Sequence, residues 1–132
     1  MTKRDLLIKV LKDMDLEPEL DKDGDVSVVY QLKNVYFVIG DEEEKYLLVM
    51  LPQFYDVEEG EESLILLTCN KMNREMRMGK VYMDQAMKSV YAATEFIYTD
   101  EESLRQNVDN ALGLIAVVRR FFREEKASLE EE

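Results

Sequence analysis

The run from Val26 to Tyr55, VSVVYQLKNVYFVIGDEEEKYLLVMLPQFY, limits the fold more than any other stretch, because its spacing demands a sheet whose apolar side other segments must cover. Val26, Val28, Tyr30 and Leu32 alternate with Ser27 and Gln31, the period of two that sends successive strand side chains to opposite faces. Lys33-Asn34 then supplies a turn, since Asn tolerates the left-handed backbone of a tight hairpin, and Val35 to Ile39 is expected to return antiparallel. Gly40 and the acidic run Asp41 to Glu44 make a second, solvated turn. Tyr46 to Leu51 is apolar almost throughout, which suits a strand covered on both faces. Pro52 is expected to end it, because proline donates nothing to a ladder.

The flanking segments read as the cover. A first helix begins at Thr2, whose hydroxyl can cap a first turn carrying Asp5; its buried stripe is Leu7, Val10, Leu11 and Met14, with Lys3, Arg4, Lys9 and Lys12 on the other face. Leu16 to Leu20 is a connector broken by Pro18, and Asp21 to Asp25 turns the chain into the first strand. After the meander, Asp56 and Glu59 form a cap for a second helix running to about Glu75. Leu64, Ile65, Cys69 and Met72 cluster on one side of that helix, while Leu66 and Leu67 project elsewhere. Arg77 to Met83 and Met87 to Tyr98 are two further strands around Asp84-Gln85-Ala86, the second with Val90, Ala92, Thr94, Phe96 and Tyr98 on one face. A third helix opens at Thr99-Asp100-Glu101-Glu102 with a core stripe of Leu104, Val108, Ala111, Ile115, Val118 and Phe122. Leu114, Val117 and Phe121 make a second stripe on that helix. The expected architecture is α+β, one domain over residues 1–125 in the order αβββαββα, with an antiparallel five-stranded sheet, helices packed on it, and a charged, frayed tail over 126–132.

Composition narrows the chemistry. The 132 residues carry 29 acidic and 17 basic side chains, a net charge of −12. Such a surface repels phosphates, so nucleic acid is not an expected partner. No apolar run approaches the roughly twenty residues that span a bilayer, so no membrane partner is expected either. Cys69 is the lone cysteine, which fits a reducing compartment, and the first sixteen residues are too charged for a signal peptide; the expected setting is cytoplasmic. The chain has no histidine, which removes Ser-His-Asp and Cys-His catalysis and every His-containing zinc site. Cys69 sits mid-helix and reads as a small buried hydrophobe. Asp21-Lys22-Asp23-Gly24-Asp25 fails as a calcium loop, because its glycine is fourth rather than sixth and its twelfth residue is Leu32. Glu95, between Thr94 and Phe96 in a strand, is the one acidic residue with a chance of shielding, and it reads as solvent-facing. Met72, Met76, Met78 and Met83 read as core filler, with an adaptable binding surface as the alternative. No cofactor, metal or catalytic residue is expected.

Cys69-Asn70-Lys71-Met72-Asn73, followed by Lys80-Val81-Tyr82 and the Asp84-Gln85 turn, resembles the bacterial YbjN-like proteins and, more distantly, the type III secretion chaperone-like fold. The resemblance implies an N-terminal helix, a three-strand meander, a helix ending in Asn-x-apolar-Asn, a hairpin and a final helix, with Asn70 and Asn73 bonding backbone where the second helix meets the hairpin. It also implies a small acidic dimer that binds protein segments rather than turning over a substrate.

The surplus apolar faces of the second and third helices point the same way. Leu66, Leu67, Leu114, Val117 and Phe121 are the candidate dimer or partner contacts. The functional expectation is a dimeric protein- or peptide-binding module, chaperone-like or a regulatory adaptor, whose ligand is a basic or amphipathic protein segment. The alternatives are a small carboxylate-based enzyme without histidine and a purely structural dimer.

Overall fold

The computed structural model describes residues 1–131. Helix α1 (Lys3–Asp13) is followed by β1 (Glu19–Leu20), β2 (Val26–Tyr30), β3 (Lys33–Val38) and β4 (Tyr46–Asp56); then come α2 (Glu62–Glu75), the hairpin β5 (Gly79–Met83) and β6 (Ser89–Ile97), and α3 (Glu101–Glu130). The strands form one antiparallel sheet in the order β1-β2-β3-β4-β6-β5. It has six strands rather than five, because Glu19–Leu20, read as a connector, adds a short edge opposite Val26 and Ser27.

Register puts the buried alternation of β2 to β6 on one side. Phe37 lies opposite Val49, Val49 opposite Thr94, Leu47 opposite Phe96 and Leu51 opposite Ala92. These residues share a single core with Leu7, Val10 and Leu11 of α1, Ile65, Cys69 and Met72 of α2, and the expected α3 stripe from Leu104 to Phe122, with Leu112 added. All three helices therefore cover the same face.

Four local expectations change. The first hairpin turns at Gln31-Leu32, with φ of 50° and 66°, rather than at Lys33-Asn34. Turning two residues later would set Val26 opposite Asp41 of the acidic run, whereas the observed register sets it opposite Phe37 and lets the Asp25 carboxylate accept from the Ile39 N–H at 2.9 Å. Leu32 is consequently 98% exposed. Strand β4 does not stop at Pro52. Its pairing with β3 has already ended at Met50, so the missing N–H breaks no ladder bond, and a bulge between Leu51 and Tyr55 carries the strand on to Asp56. As a result α2 starts at Glu62, not at Asp56, and has no side-chain cap. At α3 the cap shifts by one residue: Asp100 accepts from the Ser103 N–H at 2.8 Å, and the Ser103 hydroxyl accepts from the Asp100 N–H at 3.0 Å.

Thr2 caps α1 as expected, but Lys3 is not on a solvated face. It is 5% exposed and its ammonium donates to the Tyr46 carbonyl at 2.8 Å, tying the start of α1 to the start of β4. Of the segment 126–132, residues through Glu130 continue α3, and Glu132 lies outside the described residues. Phe54 and Tyr55, re-aimed by the bulge, meet Phe122 at centroid distances of 5.4 Å and 5.0 Å.

Candidate protein-binding surface

Among the described residues no helix packs on the face of the sheet away from α1, α2 and α3. Val38 lies opposite Leu48, and Tyr36 opposite Met50, which in turn faces Ala93. Tyr46 and Ile97 pair at one end and Tyr82 and Tyr91 stack at the other, 5.6 Å between centroids. Tyr36, Val38, Leu48 and Met50 are half-buried by their neighbours, and Ile97 is 76% exposed. Strand β4 is thus apolar on both faces but covered on one, against the expectation that both would be covered.

Charge on this face is sparse. Glu95 lies on it, exposed, and accepts a hydrogen bond from the Tyr46 hydroxyl; that bond, ahead of burial and of the nearby carboxylates Glu95 and Glu44, raises the phenol above its ordinary range. Lys80 lies 5.7 Å over the Tyr82 ring.

The edges of the sheet are treated differently from its face. Asn73, at the last turn of α2, donates to the Val81 carbonyl at 2.9 Å and accepts from the Val81 N–H at 2.8 Å. One side-chain amide thus does for β5 what a neighbouring strand would do, and it blocks the edge at that point. This is the backbone-bonding role expected of the Asn70/Asn73 pair, carried by Asn73; Asn70 is exposed and lines a shallow surface hollow with Leu67 and Lys71.

The five candidate contact residues divide. Leu66, Leu67 and Val117 are exposed, whereas Leu114 is half-buried against Gly79 and Phe121 is half-buried against the core. Of the methionines, Met72 is core, Met76 and Met83 pack partly against it, and Met78 is 74% exposed with φ 65°. Sequence spacing alone does not reveal that Met78 lies outside, because only the turn conformation puts it there.

The acidic groups are mostly tied or solvated. Asp21 accepts from the Asp23 and Asp25 N–H groups, which makes Asp21–Asp25 a self-bonded turn. Asp15, Glu17 and Glu19 line one cavity of 320 Å³, and all three are exposed. Among the described residues no group of three or more His, Cys, Asp or Glu is placed to hold a metal ion. Burial pushes the Cys69 thiol up to about 11, so at neutral pH it is protonated and a poor nucleophile. Among those residues no helix is long and apolar enough to cross a membrane.

One sheet, three helices on one side and the Asn73 bridge to β5 define a single α+β domain with the type III secretion chaperone-like fold. The chain belongs to the YbjN family, described as a "putative bacterial sensory transduction regulator", whose sequence profile matches residues 3–124. The crystal structure of YbjN from E. coli, described as a "putative transcription regulator", is similar with a TM-score of 0.70 at 11% identity, over 95% of this chain and 92% of that one. The crystal structure of the ExsC–ExsE complex contains a chain similar at TM-score 0.55 and 16% identity, over 83% of this chain and 85% of its own. At those identities the likeness is one of fold. No curated protein matches the sequence.

Proposed function

We propose that the protein is a non-enzymatic, dimeric protein-binding module of the cytoplasm, chaperone-like or a regulatory adaptor. One observation carries the reading: among the described residues, nothing covers the apolar side chains of β3, β4 and β6 that face away from the helices. Neighbouring apolar side chains left half-solvated on one face are the kind of surface that a protein partner covers. The family's regulator description and the protein complex formed by a fold neighbour support it.

The proposed ligand is a basic or amphipathic protein segment, drawn by the net charge of −12. The proposed self-contact uses Leu66, Leu67, Leu114, Val117 and Phe121, of which Leu66, Leu67 and Val117 are exposed. Light scattering tests the dimer. Leu66→Asp is expected to shift the species to monomer without unfolding it, and a wild-type protein that stays monomeric at high micromolar concentration overturns the dimer. Affinity capture tests the partner: a reproducible protein whose binding weakens as salt rises is expected, and recovery of the bait alone at every salt concentration overturns the binding role.

A further inference from the structure

The Asn73 bridge blocks the β5 edge at Val81, but the edge continues beyond it. Strand β5 stops pairing at Gly79, opposite Thr94, where Met78 turns the chain aside with φ 65°. Strand β6 runs on to Ile97, still paired to β4. Because Val81 points its N–H and C=O outward to Asn73, its neighbours Lys80 and Tyr82 are the residues bonded to β6. The antiparallel alternation then gives Ala93, Glu95 and Ile97 the backbone groups that face this edge. Past Thr94 no strand among the described residues meets Glu95 or Ile97, and the Ile97 carbonyl receives the Asn107 side chain at 3.3 Å.

The unfilled strand position is flanked by a cavity on each side of the sheet. On the helical side a 220 Å³ cavity is bounded by Phe96, Ala111 and Leu114, with Arg77, Asn107 and Asn110 among its other lining residues. On the open side a 290 Å³ cavity runs between Lys80 and Glu95. Met78 and Thr94 border both. A strand laid in this slot places one side chain beside Phe96 on the helical side and the next beside Glu95 on the open side.

We infer that an extended segment of a partner protein binds here as an added strand in line with β5, placing an apolar side chain against Phe96, Ala111 and Leu114 and a lysine or arginine beside Glu95. Charge selects the occupant. Glu95 lines the open side with Lys80 across from it and Arg77 lines the other side, so the preference comes from the molecule's net charge of −12, which draws a basic segment and disfavours a second copy of this chain. Glu95 is the carboxylate within the slot that a lysine or arginine can pair with. Backbone pairing supplies affinity and the two cavities supply the alternating apolar and basic preference. The inference rests on the protein-binding reading and names its site and ligand chemistry.

The test uses two synthetic peptides of identical leucine and lysine composition, one in strict alternation and one in helical order, titrated into the full chain by anisotropy and amide NMR. The alternating peptide is expected to perturb Glu95, Ile97 and Ala111 and to slow hydrogen exchange at the Glu95 and Ile97 amides. Ile97→Pro removes an N–H that faces the slot rather than β4, so the fold stays intact and binding weakens about tenfold. Ile97→Val retains binding, and Glu95→Gln weakens it about threefold and flattens its salt dependence. Binding of either peptide with no response to Ile97→Pro overturns the slot while leaving a protein-binding role. Failure of the alternating peptide to bind saturably overturns the slot, and failure of both peptides also overturns the basic-segment reading. Concentration-dependent protection of Glu95 and Ile97 in the protein alone identifies a second copy as the occupant and overturns the proposal.

Discussion

Leu47, Val49 and Leu51 of β4 are fully or nearly fully buried, while Leu48 and Met50, their neighbours in the same strand, stay half-exposed. The two sets are chemically alike and sit in the same central strand, so composition does not separate them. Topology does: every helix lies on the Val49 side. An apolar strand residue resists water, and only the crossing of helices decides whether the chain itself supplies the cover.

The sharpest way to break this comparison is to truncate one side chain on each face. Phe122 is 1% exposed and wedged between Phe54 and Tyr55; Phe122→Ala is expected to cost about 3–5 kcal/mol in urea unfolding, through lost burial and the cavity left behind. Met50→Ala removes a half-solvated side chain and is expected to cost less than about 1 kcal/mol in dilute protein. If the Met50→Ala cost rises with protein concentration, the open face is covered by a second copy, and the contrast between the faces belongs to the monomer alone.

An effect smaller than that of Phe122→Ala is expected at the edge. Asn73→Ala strips both backbone groups of Val81 of their partners and should cost about 1–2 kcal/mol by the same measurement. It also reopens β5 to strand pairing, so static light scattering should rise on storage relative to the wild type. Unchanged stability would mean that water replaces the amide without loss.

Asn73 also marks how far the sequence could be read. The Asn-x-apolar-Asn ending of α2 pointed to backbone bonding near the hairpin, and the helix stripes from Leu7 to Leu11 and from Leu104 to Phe122 followed directly from spacing. Both signals are local or strictly periodic. The misses share another cause, which is competition settled at a distance. Gln31-Leu32 carries no turn signature and adopts left-handed backbone because register on β3 requires it. Pro52 stays in β4 because β3 has already left that edge, a fact of pairing and not of proline. The open sheet face was hidden for the same reason: a strand apolar on both sides looks alike whether its second cover is a helix, another chain or nothing.

A smaller effect than that at the edge concerns the clamp that holds the end of α3 over the covered face. Tyr55 donates to Glu61 at 2.7 Å, and Glu61 pairs with Lys126 at 3.2 Å, so the β4 bulge, the start of α2 and the last turns of α3 meet in one cluster. Burial works to raise the Glu61 carboxyl, but the bonds from Tyr55, from the Glu58 N–H and from Lys126 outweigh it and hold the group below its ordinary 4.5. Its contribution to stability is therefore complete above pH 4.5 and lost as pH falls through the lowered value. Tyr55 behaves in the opposite sense: burial and then the Glu61 bond push its phenol from 10 up to about 12, so its contribution is complete below pH 10 and lost as pH rises toward 12. A complication is that acid also relieves the self-repulsion of a −12 surface, which opposes the loss at Glu61. Comparison with Glu61→Gln removes it, because the two proteins differ by a single charge while sharing every other carboxylate. The wild type is expected to exceed the variant by less than about 1 kcal/mol at pH 7, with the gap closing below pH 4.5 and hydrogen exchange in residues 118–130 converging alongside it. A gap that persists unchanged into acid would show that packing of Phe54 and Tyr55 on Phe122, and not the charged clamp, fixes the end of α3 on the covered side.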